Sequence, residues 1–565
     1  MNEVDVIVVG SGAGGMASAI TAAARGFDVV LLEKSSHWGG STARSGGGVW
    51  IPGNDVLRAH LAADDAESAR TYLHAIVGSD DPRIDVYIDR GDEALRFLTE
   101  HSALDLQWVR GYSDYLPEQP GGLARGRSCE PRPFDLRRLG HDHATMQPFY
   151  TRTPMNVVVQ QSDYRWLSTG LRHWQGPMRA LRVAGRTALA RARGAQIVGL
   201  GGALAASLMV GVREAGISVH LDMEVIEVTR AGDRVTGVRC ADGTSFIARR
   251  GVVVASGGFD HNESMRSEHH RAPAGASLSL GVPSNTGDGI RAAVAVGAAT
   301  ALMDDAWWAP SIPLPKGPWF ALAERSLPRS IIVNAHGRRF MNESLPYVEA
   351  THRMFGGLHG RGDGPAENLP CWLIFDQTYR NRYMFAGKPA RAPLPSSWFD
   401  SGALTTARSV GELADTIGVP AAALSETIST FNHAARTGHD AEFHRGESAY
   451  DRYYADPTNR PNPSLGEITR PPFYAARIVP ADLGTKGGIV TDEHSRALTP
   501  DGAPIPGLYA VGNASAALMG HTYAGPGATI GPALVFGYLA ALHATDQQDR
   551  SQAGDVTPPC PTPRV

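Results

Sequence analysis

The sequence predicts an α/β fold in which one parallel sheet takes strands from the beginning, the middle and the end of the chain, with an α+β domain inserted before the last strand. Three observations predict it: apolar runs that end in glycine turns at residues 4–15, 251–258 and 507–513. Such short runs are typical of buried parallel strands. The stretch 284–474 has apolar segments of its own and is the predicted insert, and 565 residues suffice for two domains.

The first element is a complete βαβ unit. A strand at 4–9 leads into the glycine motif at 10–15, a helix follows at 16–24, and a second strand at 28–32 ends at Glu33. In Rossmann-like folds such glycines permit the tight turn, the approach of a pyrophosphate and close packing of the helix on the strand. The helix N-terminus attracts phosphates, and the acid accepts ribose hydroxyls. We expect a dinucleotide site; the alternative is an ordinary α/β glycine turn.

The remaining elements define the predicted domain organisation. Residues 224–228 and 235–239 alternate like hairpin strands ahead of the middle strand, and an apolar helix follows the last one. The predicted domains are a discontinuous nucleotide-binding domain at 1–283 and 475–548, which includes a basic insertion at 164–196, a catalytic or substrate domain at 284–474, and a disordered tail at 549–565.

The segment after Glu33, residues 34–48, is too rich in glycine and serine for an ordinary helix and suits a backbone wrapped against a flat ring and its phosphates. At this spacing the sequence resembles GR2-type flavoproteins of the fumarate reductase, succinate dehydrogenase and 3-ketosteroid dehydrogenase superfamily. The resemblance implies FAD, bound non-covalently, because His37 stands earlier than the histidine that succinate dehydrogenases attach to flavin. The implied FAD-binding residues are Gly10, Gly12, Ala13, Gly14, Gly15, Glu33, Lys34, Gly40, Ser41, Thr42, Ser45, Gly46, Gly47, Gly257, Gly258, Asp288, Gly512, Asn513, Gly527, Thr529 and Ile530.

Composition excludes several other classes. Lys+Arg 53 against Asp+Glu 57 gives a net charge of -4, so no overall basic field recruits nucleic acid. The four cysteines form no CxxC pair and the histidines no HxxxH or HExxH pattern, so we expect no disulfide framework, iron–sulfur cluster or metal site. The acidic N-terminus enters a strand at once, which favours a cytoplasmic protein without a leader.

The C-terminal region narrows the choice of substrate. An enzyme that binds a dicarboxylate needs arginines to pair with its carboxylates, but Arg496 is the one arginine among residues 486–546. Instead Tyr523 is followed four residues later by Gly527, which resembles the 3-ketosteroid Δ1-dehydrogenases. That resemblance implies 1,2-desaturation of 3-ketosteroids in bacterial sterol catabolism, with an external, quinone-like electron acceptor. The alternatives are a 3-ketosteroid Δ4-(5α)-dehydrogenase, a fumarate reductase-like enoate reductase and a flavin-binding interaction protein without catalysis.

The same resemblance implies a catalytic set of Tyr115, Tyr347, Tyr523 and Gly527, with Tyr112 as a competitor for the first position. The Tyr523 hydroxyl and the Gly527 amide would stabilise the enolate oxygen. Tyr347 would remove the C2 proton as a tyrosinate stabilised by Tyr115. Because a tyrosine has a pKa near ~10 and an apolar pocket raises it, this mechanism needs a group that lowers the pKa.

One segment of the chain is strongly basic. Between Asp163 and Glu214 there is no acidic residue, and a helix beginning near Pro177 presents an apolar face beside an arginine stripe. With the tryptophans just upstream, residues 165–193 are a candidate surface for an anionic membrane; the alternative is a solvated basic helix packed on the flavin domain. The uncharged run 194–212 is interpreted as a buried helix rather than a membrane span.

Overall fold

The computed structural model describes residues 2–60, 64–149, 158–170, 172–362 and 364–546. The predicted tail, 549–565, lies outside the described residues. The strands are β1 Asn2–Val9, β2 Val29–Leu32, β3 Val49–Trp50, β4 Leu106–Trp108, β5 Ser128–Pro131, β6 Phe134–Asp135, β7 Ile197–Val198, β8 Ser218–His220, β9 Val225–Ala231, β10 Arg234–Cys240, β11 Ser245–Val254, β12 Thr300–Ala301, β13 Ala306–Leu314, β14 Gly317–Phe320, β15 Ser330–Asn334, β16 Cys371–Asp376, β17 Leu404–Ala407, β18 Phe473–Thr485, β19 Gly488–Ile489, β20 Arg496–Leu498 and β21 Pro504–Ala510.

The α-helices lie between these strands, singly or in groups. They are α1 Ala13–Ala24, α2 Gly40–Arg44, α3 Asp55–Arg58, α4 Ala66–Val77, α5 Pro82–Glu100, α6 Gln161–Ser168, α7 Gln175–Ala192, α8 Leu200–Glu214, α9 Glu263–His269, α10 Asp288–Ala295, α11 Tyr347–Phe355, α12 Gln377–Arg382, α13 Ser396–Asp400, α14 Val410–Ile417, α15 Ala421–Thr437, α16 Ala449–Tyr453 and α17 Ile530–Asp546. Short 3₁₀ turns lie at Leu136–Thr145, Ala276–Leu278, Leu358–Gly360 and Gly512–Ala514.

The large sheet confirms the predicted α/β fold. Its order is β20-β21-β11-β1-β2-β8, and β10 and β9 continue from β11 as an antiparallel hairpin. Strand β1 pairs in parallel with β11 and β2, and β21 pairs in parallel with β11, so the sheet does combine the two ends and the middle of the chain. Apolar side chains alternate between the cores on its two faces, as expected for a sheet covered on both sides.

Glycines bring the first and last helices of this fold close together. A Cβ on Gly537 in α17 would lie 2.5 Å from the carbonyl oxygen of Gly14 in α1, and the Ser18 hydroxyl donates to the Gly537 carbonyl at 2.9 Å. Only a residue without a side chain allows two helix backbones to approach in this way. The C-terminal helix thus packs directly behind the glycine motif.

A second, antiparallel sheet has the order β14-β13-β18-β16-β15, with β17 also paired to β18. Its strands come mostly from the predicted insert, but the predicted boundary at 474 falls inside the long strand β18. Helix α10, at the start of that insert, packs Ile290 and Ala293 into the core of the large sheet. The division into domains at these residues stays a prediction.

Two local predictions can be compared with the structure. Residues 34–48, expected to avoid ordinary helix, do contain the short helix α2, which begins after Gly39 with a left-handed φ of 100°. The uncharged run 194–212 contributes most of α8, whose residues 201–212 are all buried, as predicted. No helix in the described part of the chain is both long and apolar enough to cross a membrane.

Candidate active site

One cavity of about 1440 Å³ collects most of the predicted site. The four predicted catalytic residues line it, together with every predicted FAD-binding residue except Gly15 and Gly258. A Cβ on Gly15 would lie 2.0 Å from the Gly10 carbonyl oxygen, and one on Gly258 would lie 2.0 Å from the Thr485 hydroxyl. These two glycines therefore allow close packing behind the cavity wall, and their assignment to the cofactor stays a prediction.

The glycine motif presents bare backbone to the cavity. A Cβ on Gly12 would meet only the Thr42 hydroxyl within 4 Å, at 3.7 Å, and one on Gly46 would meet nothing. Gly12 caps α1 without any side-chain hydrogen bond. The N-terminal turn of α1 therefore lines the cavity with glycine backbone, which suits a pyrophosphate, and its Ala13 amide donates to the Thr42 hydroxyl at 2.9 Å. The residues present fit a bound dinucleotide.

Acidic residues mark the part of the cavity next to this motif. The Glu33 carboxylate accepts hydrogen bonds from the Ser11 amide at 3.0 Å and from the Ser35 amide at 2.9 Å. Asp288 forms an ion pair with Lys34 at 2.6 Å. Burial acts to raise the pKa of Asp288, but the hydrogen bond and charge of Lys34 lower it overall, so this carboxylate stays ionised.

Three tyrosines meet in the same cavity. The Tyr115 hydroxyl donates to the Tyr347 hydroxyl at 3.1 Å, and the two rings pack edge to face with centroids 5.4 Å apart. The Tyr523 ring lies 5.1 Å from that of Tyr115 and 5.5 Å from that of Tyr347. Three tyrosines that are more than 170 residues apart in the chain thus form one buried cluster of hydroxyl groups.

The hydroxyl groups of this cluster differ in their surroundings. Burial raises the pKa of Tyr115 and Tyr347 well above the ordinary value, although the hydrogen bond between them opposes this for Tyr347. Burial also raises the pKa of Tyr523, against hydrogen bonds from Thr529, Tyr347 and the Gly527 amide. The Tyr523 hydroxyl and the Gly527 amide therefore lie close together in the cavity wall.

Local structure fixes these positions. The Tyr115 amide donates to the Ala524 carbonyl at 3.0 Å, and the Gly527 carbonyl accepts from the Trp50 amide at 3.2 Å. Gly527 has a φ of 100°, and a Cβ there would lie 2.4 Å from the backbone of Gly48. Only glycine suits this position. Tyr347 begins helix α11 directly after Pro346, which sets the direction in which its ring enters the cavity.

The competing Tyr112 has a different partner. Its hydroxyl accepts a hydrogen bond from Tyr454 at 2.9 Å, and its ring stacks on Tyr453 at 4.2 Å. Tyr112 also lines the cavity, but the hydrogen bond to Tyr347 comes from Tyr115. The geometry therefore agrees with the choice of Tyr115.

Sequence reasoning missed the outer part of the cavity. It is lined by the hairpin between β13 and β14 and by the segment after α12, including Leu314, Trp319, Phe320, Met384 and Trp398. These side chains are apolar, as a site for a large apolar molecule requires. The sequence offers one signal for them: the run of tryptophan, proline and glycine at 315–320 makes a rigid turn, although a turn alone does not indicate a substrate contact.

Comparisons with known proteins agree with this site. Residues 5–530 match the family described as FAD binding domain. The chain is 54% identical over 557 residues to a 3-oxosteroid 1-dehydrogenase of Mycobacterium tuberculosis, which covers 97% of this chain and 99% of the relative. The chain belongs to the FAD-binding family of the 3-oxosteroid 1-dehydrogenases.

Solved structures extend the likeness to this family. A crystal structure of 3-ketosteroid delta1-dehydrogenase from Sterolibacterium denitrificans, in complex with 1,4-androstadiene-3,17-dione, superposes with a TM-score of 0.89 at 37% identity, covering 96% of this chain and 99% of that one. A 3-ketosteroid-delta4-(5alpha)-dehydrogenase from Rhodococcus jostii has a TM-score of 0.65 at 22% identity, covering 97% of each chain, and shares the fold. The cofactor of this flavoprotein family is FAD.

Proposed function

We propose that this flavoprotein introduces a double bond between C1 and C2 of 3-ketosteroids. The observation that carries the proposal is the joint placement of Tyr523 and Gly527 beside the hydrogen-bonded pair of Tyr115 and Tyr347 in one largely apolar cavity. An apolar cavity with a few convergent polar groups suits a steroid that has one carbonyl to be recognised. The membership of this chain in the family of the 3-oxosteroid 1-dehydrogenases supports the same substrate class.

In this mechanism the substrate carbonyl at C3 faces Tyr523 and Gly527. The hydroxyl of the first and the amide of the second donate to the oxygen, which gains negative charge as the C2 proton leaves. Such donors, fixed in place before the reaction, contribute about 2.7–4 kcal/mol each to catalysis in well-studied cases. The left-handed backbone at Gly527 holds its amide in this position.

Tyr347 is the proposed base. The C2–H bond breaks, its electron pair moves into the enolate, and the proton goes to the Tyr347 oxygen. The Tyr115 hydroxyl, 3.1 Å away, stabilises the tyrosinate that accepts it. The glycine motif would hold FAD, which would supply the acceptor for the hydride from C1, and an external, quinone-like compound would take up the electrons. His37 does not line the cavity, and its imidazole Nδ1 lies 3.0 Å from the Ser36 hydroxyl, which supports non-covalent binding of FAD.

The experiment that tests the function is the anaerobic addition of 4-androstenedione to the purified yellow holoprotein. We expect bleaching of the visible flavin band and a product with a C1–C2 double bond, identified by mass spectrometry and NMR. A saturated 5α-ketosteroid and fumarate, tested in parallel, separate the Δ4-dehydrogenase and enoate reductase activities. A flavin band unchanged by 4-androstenedione would refute the steroid assignment and leave the fold intact.

The basic segment supports a second proposal, that the protein docks on an anionic membrane from the cytoplasmic side. Helix α7 buries Val183 and Thr187 but exposes Leu181 by 73% and Leu189 by 50%, and Trp174, directly before the helix, is 63% exposed. Two of its arginines, Arg179 and Arg186, are bound to Asp163, whereas Arg182 and Arg193 are exposed. Apolar side chains among exposed arginines fit the boundary between anionic headgroups and acyl chains.

This surface is connected to the cavity. Tyr164 and Leu167 of α6, the helix that precedes α7, line the cavity wall. Docking through α7 would therefore hold the cavity near a reservoir of poorly soluble substrate. The test is co-flotation with vesicles of phosphatidylglycerol against vesicles of phosphatidylcholine.

Substitution by serine of Trp174 and of the two exposed leucines of α7, W174S/L181S/L189S, is expected to abolish flotation with the anionic vesicles. The control changes three equally exposed apolar residues elsewhere, I226S/V294S/L358S. Equal flotation of wild type on both kinds of vesicle, or loss of binding in the control alone, would contradict the proposal. Turnover of steroid presented in detergent monitors folding of both variants.

A further inference from the structure

A fully buried guanidinium lies behind the tyrosine cluster. Arg325, between β14 and β15, is 0% exposed, and its Nη1 donates to the carbonyl oxygens of Glu343 and Leu345 at 2.6 Å each. Its Nε and Nη2 have no hydrogen-bond partner within the described part of the chain. Burying a cation without a carboxylate is costly, so its place requires a physical reason.

The charge of Arg325 acts on a tyrosine of α16, Tyr450. The Tyr450 hydroxyl is also buried and lacks a hydrogen-bond partner among the described residues. Burial raises the pKa of Tyr450, and the charge of Arg325 is the largest influence that opposes this. The Tyr450 ring packs edge to face on Tyr115, with centroids 5.0 Å apart, and Tyr115 is bonded to Tyr347. Tyr450 thus connects Arg325 to the hydrogen-bonded pair of Tyr115 and Tyr347.

The other cations near this cluster have partners or face elsewhere. Arg445 is bound to Glu343 at 2.9 Å. Lys486 is bound to Asp305 at 3.3 Å, and its ammonium group donates to the Thr522 carbonyl at 3.0 Å. Two further arginines form ion pairs: Arg127 with Asp114 and Asp64, and Arg339 with Glu343 and Asp440. The Arg165 guanidinium lies over the Tyr453 ring at 4.7 Å, and His352 is bound to Asp305.

The nearby carboxyl groups are held by other partners. The Asp451 carboxylate accepts hydrogen bonds from the Asn342 side chain at 2.9 Å and the Gly446 amide at 2.8 Å, and that of Glu349 accepts from the Thr522 hydroxyl at 3.2 Å. Burial raises the pKa of both groups. Among the described residues no ion pair joins Arg325 to a carboxylate, and Tyr450 and Tyr115 are among the groups that interact electrostatically with its charge.

We propose that Arg325 is a positioning residue for the desaturation: its charge stabilises the tyrosinate form of the Tyr347–Tyr115 pair, and its bonds to the carbonyls of Glu343 and Leu345 fix the segment that leads into Tyr347. This rests on the proposed function. When Tyr347 takes the C2 proton, the negative charge moves from the tyrosinate to the enolate oxygen. The charge of Arg325 therefore stabilises the tyrosinate that exists before the proton is transferred. Arginine suits this task because, unlike lysine, it keeps its charge when buried.

The experiment compares the pH dependence of kcat/KM in three holoenzyme variants. In Arg325→Met we expect the pH of half-maximal kcat/KM to rise by at least about one unit, with a loss of about tenfold at neutral pH and an unchanged flavin spectrum. Arg325→Lys should approach wild type at neutral pH and lose activity on the alkaline side, where a buried lysine gives up its proton. Exchange of the C2 proton for deuterium, measured by NMR, should follow the same shifts.

The matched control is Arg380→Met. Arg380 is also buried, 3% exposed, and is held by the carbonyls of Tyr383, Pro389 and Ala392, but it lies at α12, away from the tyrosines. Its loss should leave the pH of half-maximal kcat/KM unchanged. An unshifted profile in Arg325→Met would overturn the proposal. If that variant yields no holoprotein, an Arg325→Lys profile that superposes on wild type up to pH 10 would overturn it. Failure of the proposed function would instead show in wild type, as absence of bleaching.

Discussion

The hydroxyl groups of Tyr115 and Tyr347 lie 3.1 Å apart, although 232 residues separate them in the chain. The Tyr115 amide donates a hydrogen bond to the Ala524 carbonyl, in the same loop that carries Tyr523 and Gly527. This loop therefore positions Tyr115 as well as the proposed carbonyl-binding pair, whereas Tyr347 enters the cavity from helix α11. A shift of the loop would change both functions, and proton transfer is sensitive to such a change in distance.

Replacing Tyr347 by phenylalanine removes the proposed base and keeps the ring. We expect kcat to fall by about 10²–10⁴-fold, the range in which a positioned general base contributes. The ring contacts with Phe320 and Tyr523 are retained, so FAD content and thermal stability should change little. Single-turnover bleaching and C2 deuterium exchange measure the effect. A variant that exchanges the C2 proton at the wild-type rate would show that another group is the base.

Replacing Tyr523 by phenylalanine tests the carbonyl-binding pair. Loss of one such donor is expected to lower kcat by about 10²–10³-fold. The matched control is Tyr509→Phe, since Tyr509 is equally buried but lies outside the cavity lining, with its hydroxyl 2.9 Å from His543 Nδ1. A similar loss of activity in the two variants would mean that the hydroxyl of Tyr523 has no special role in the reaction.

The dinucleotide cradle could be predicted from the sequence because each of its glycines answers a local requirement. Gly10 and Gly12 sit in a turn whose strand, helix and terminal Glu33 are all contiguous in the chain. Gly258 does not line the cavity, because the same residue type also serves close packing, here against Thr485, and a sequence does not show which neighbour is near.

The tyrosine cluster was only partly predictable. Its members were found by resemblance to a family motif, and the choice of Tyr115 over Tyr112 depends on a hydrogen bond across 232 residues. Arg325 and Lys486 carry no local signal, since their significance lies in being buried beside side chains from other elements. Such contacts arise from tertiary packing, which periodicity and spacing do not encode.

Replacing Gly527 by alanine should disrupt the C-terminal loop. At a φ of 100° any side chain is strained, and here the Cβ would also lie 2.4 Å from the backbone of Gly48. We expect loss of FAD and a melting temperature lower by several degrees. Gly502→Ala is the control, because Gly502 has a φ of 83° but open space around it. That variant carries only the backbone cost, about 1 kcal/mol. Equal effects of the two substitutions would show that the contact with Gly48 is relieved without consequence.

The last prediction concerns Asp305, which binds Lys486 at 3.3 Å, His352 at 3.0 Å and His521 at 2.9 Å. Burial acts to raise the pKa of Asp305, but the charge of Lys486 and the two histidines lower it well below the ordinary value. A carboxyl group whose pKa is lowered on folding adds stability above its unfolded pKa of about 4, and that stability is lost as the pH falls further. The loss should therefore appear in strongly acidic solution.

Asp305→Asn leaves the buried Lys486 ammonium without its carboxylate, and we expect the free energy of unfolding to fall by about 3–5 kcal/mol at neutral pH. Since Lys486 also donates to the Thr522 carbonyl, next to Tyr523, kcat should fall as well. Glu467→Gln, which breaks an exposed pair with Arg436, is the control and should cost less than about 1 kcal/mol. Denaturant titrations at neutral and acidic pH measure the free energy of unfolding of wild type and of Asp305→Asn. The difference between the two should become smaller at acidic pH, as Asp305 becomes protonated in wild type. A difference that stays constant would contradict an ionised Asp305.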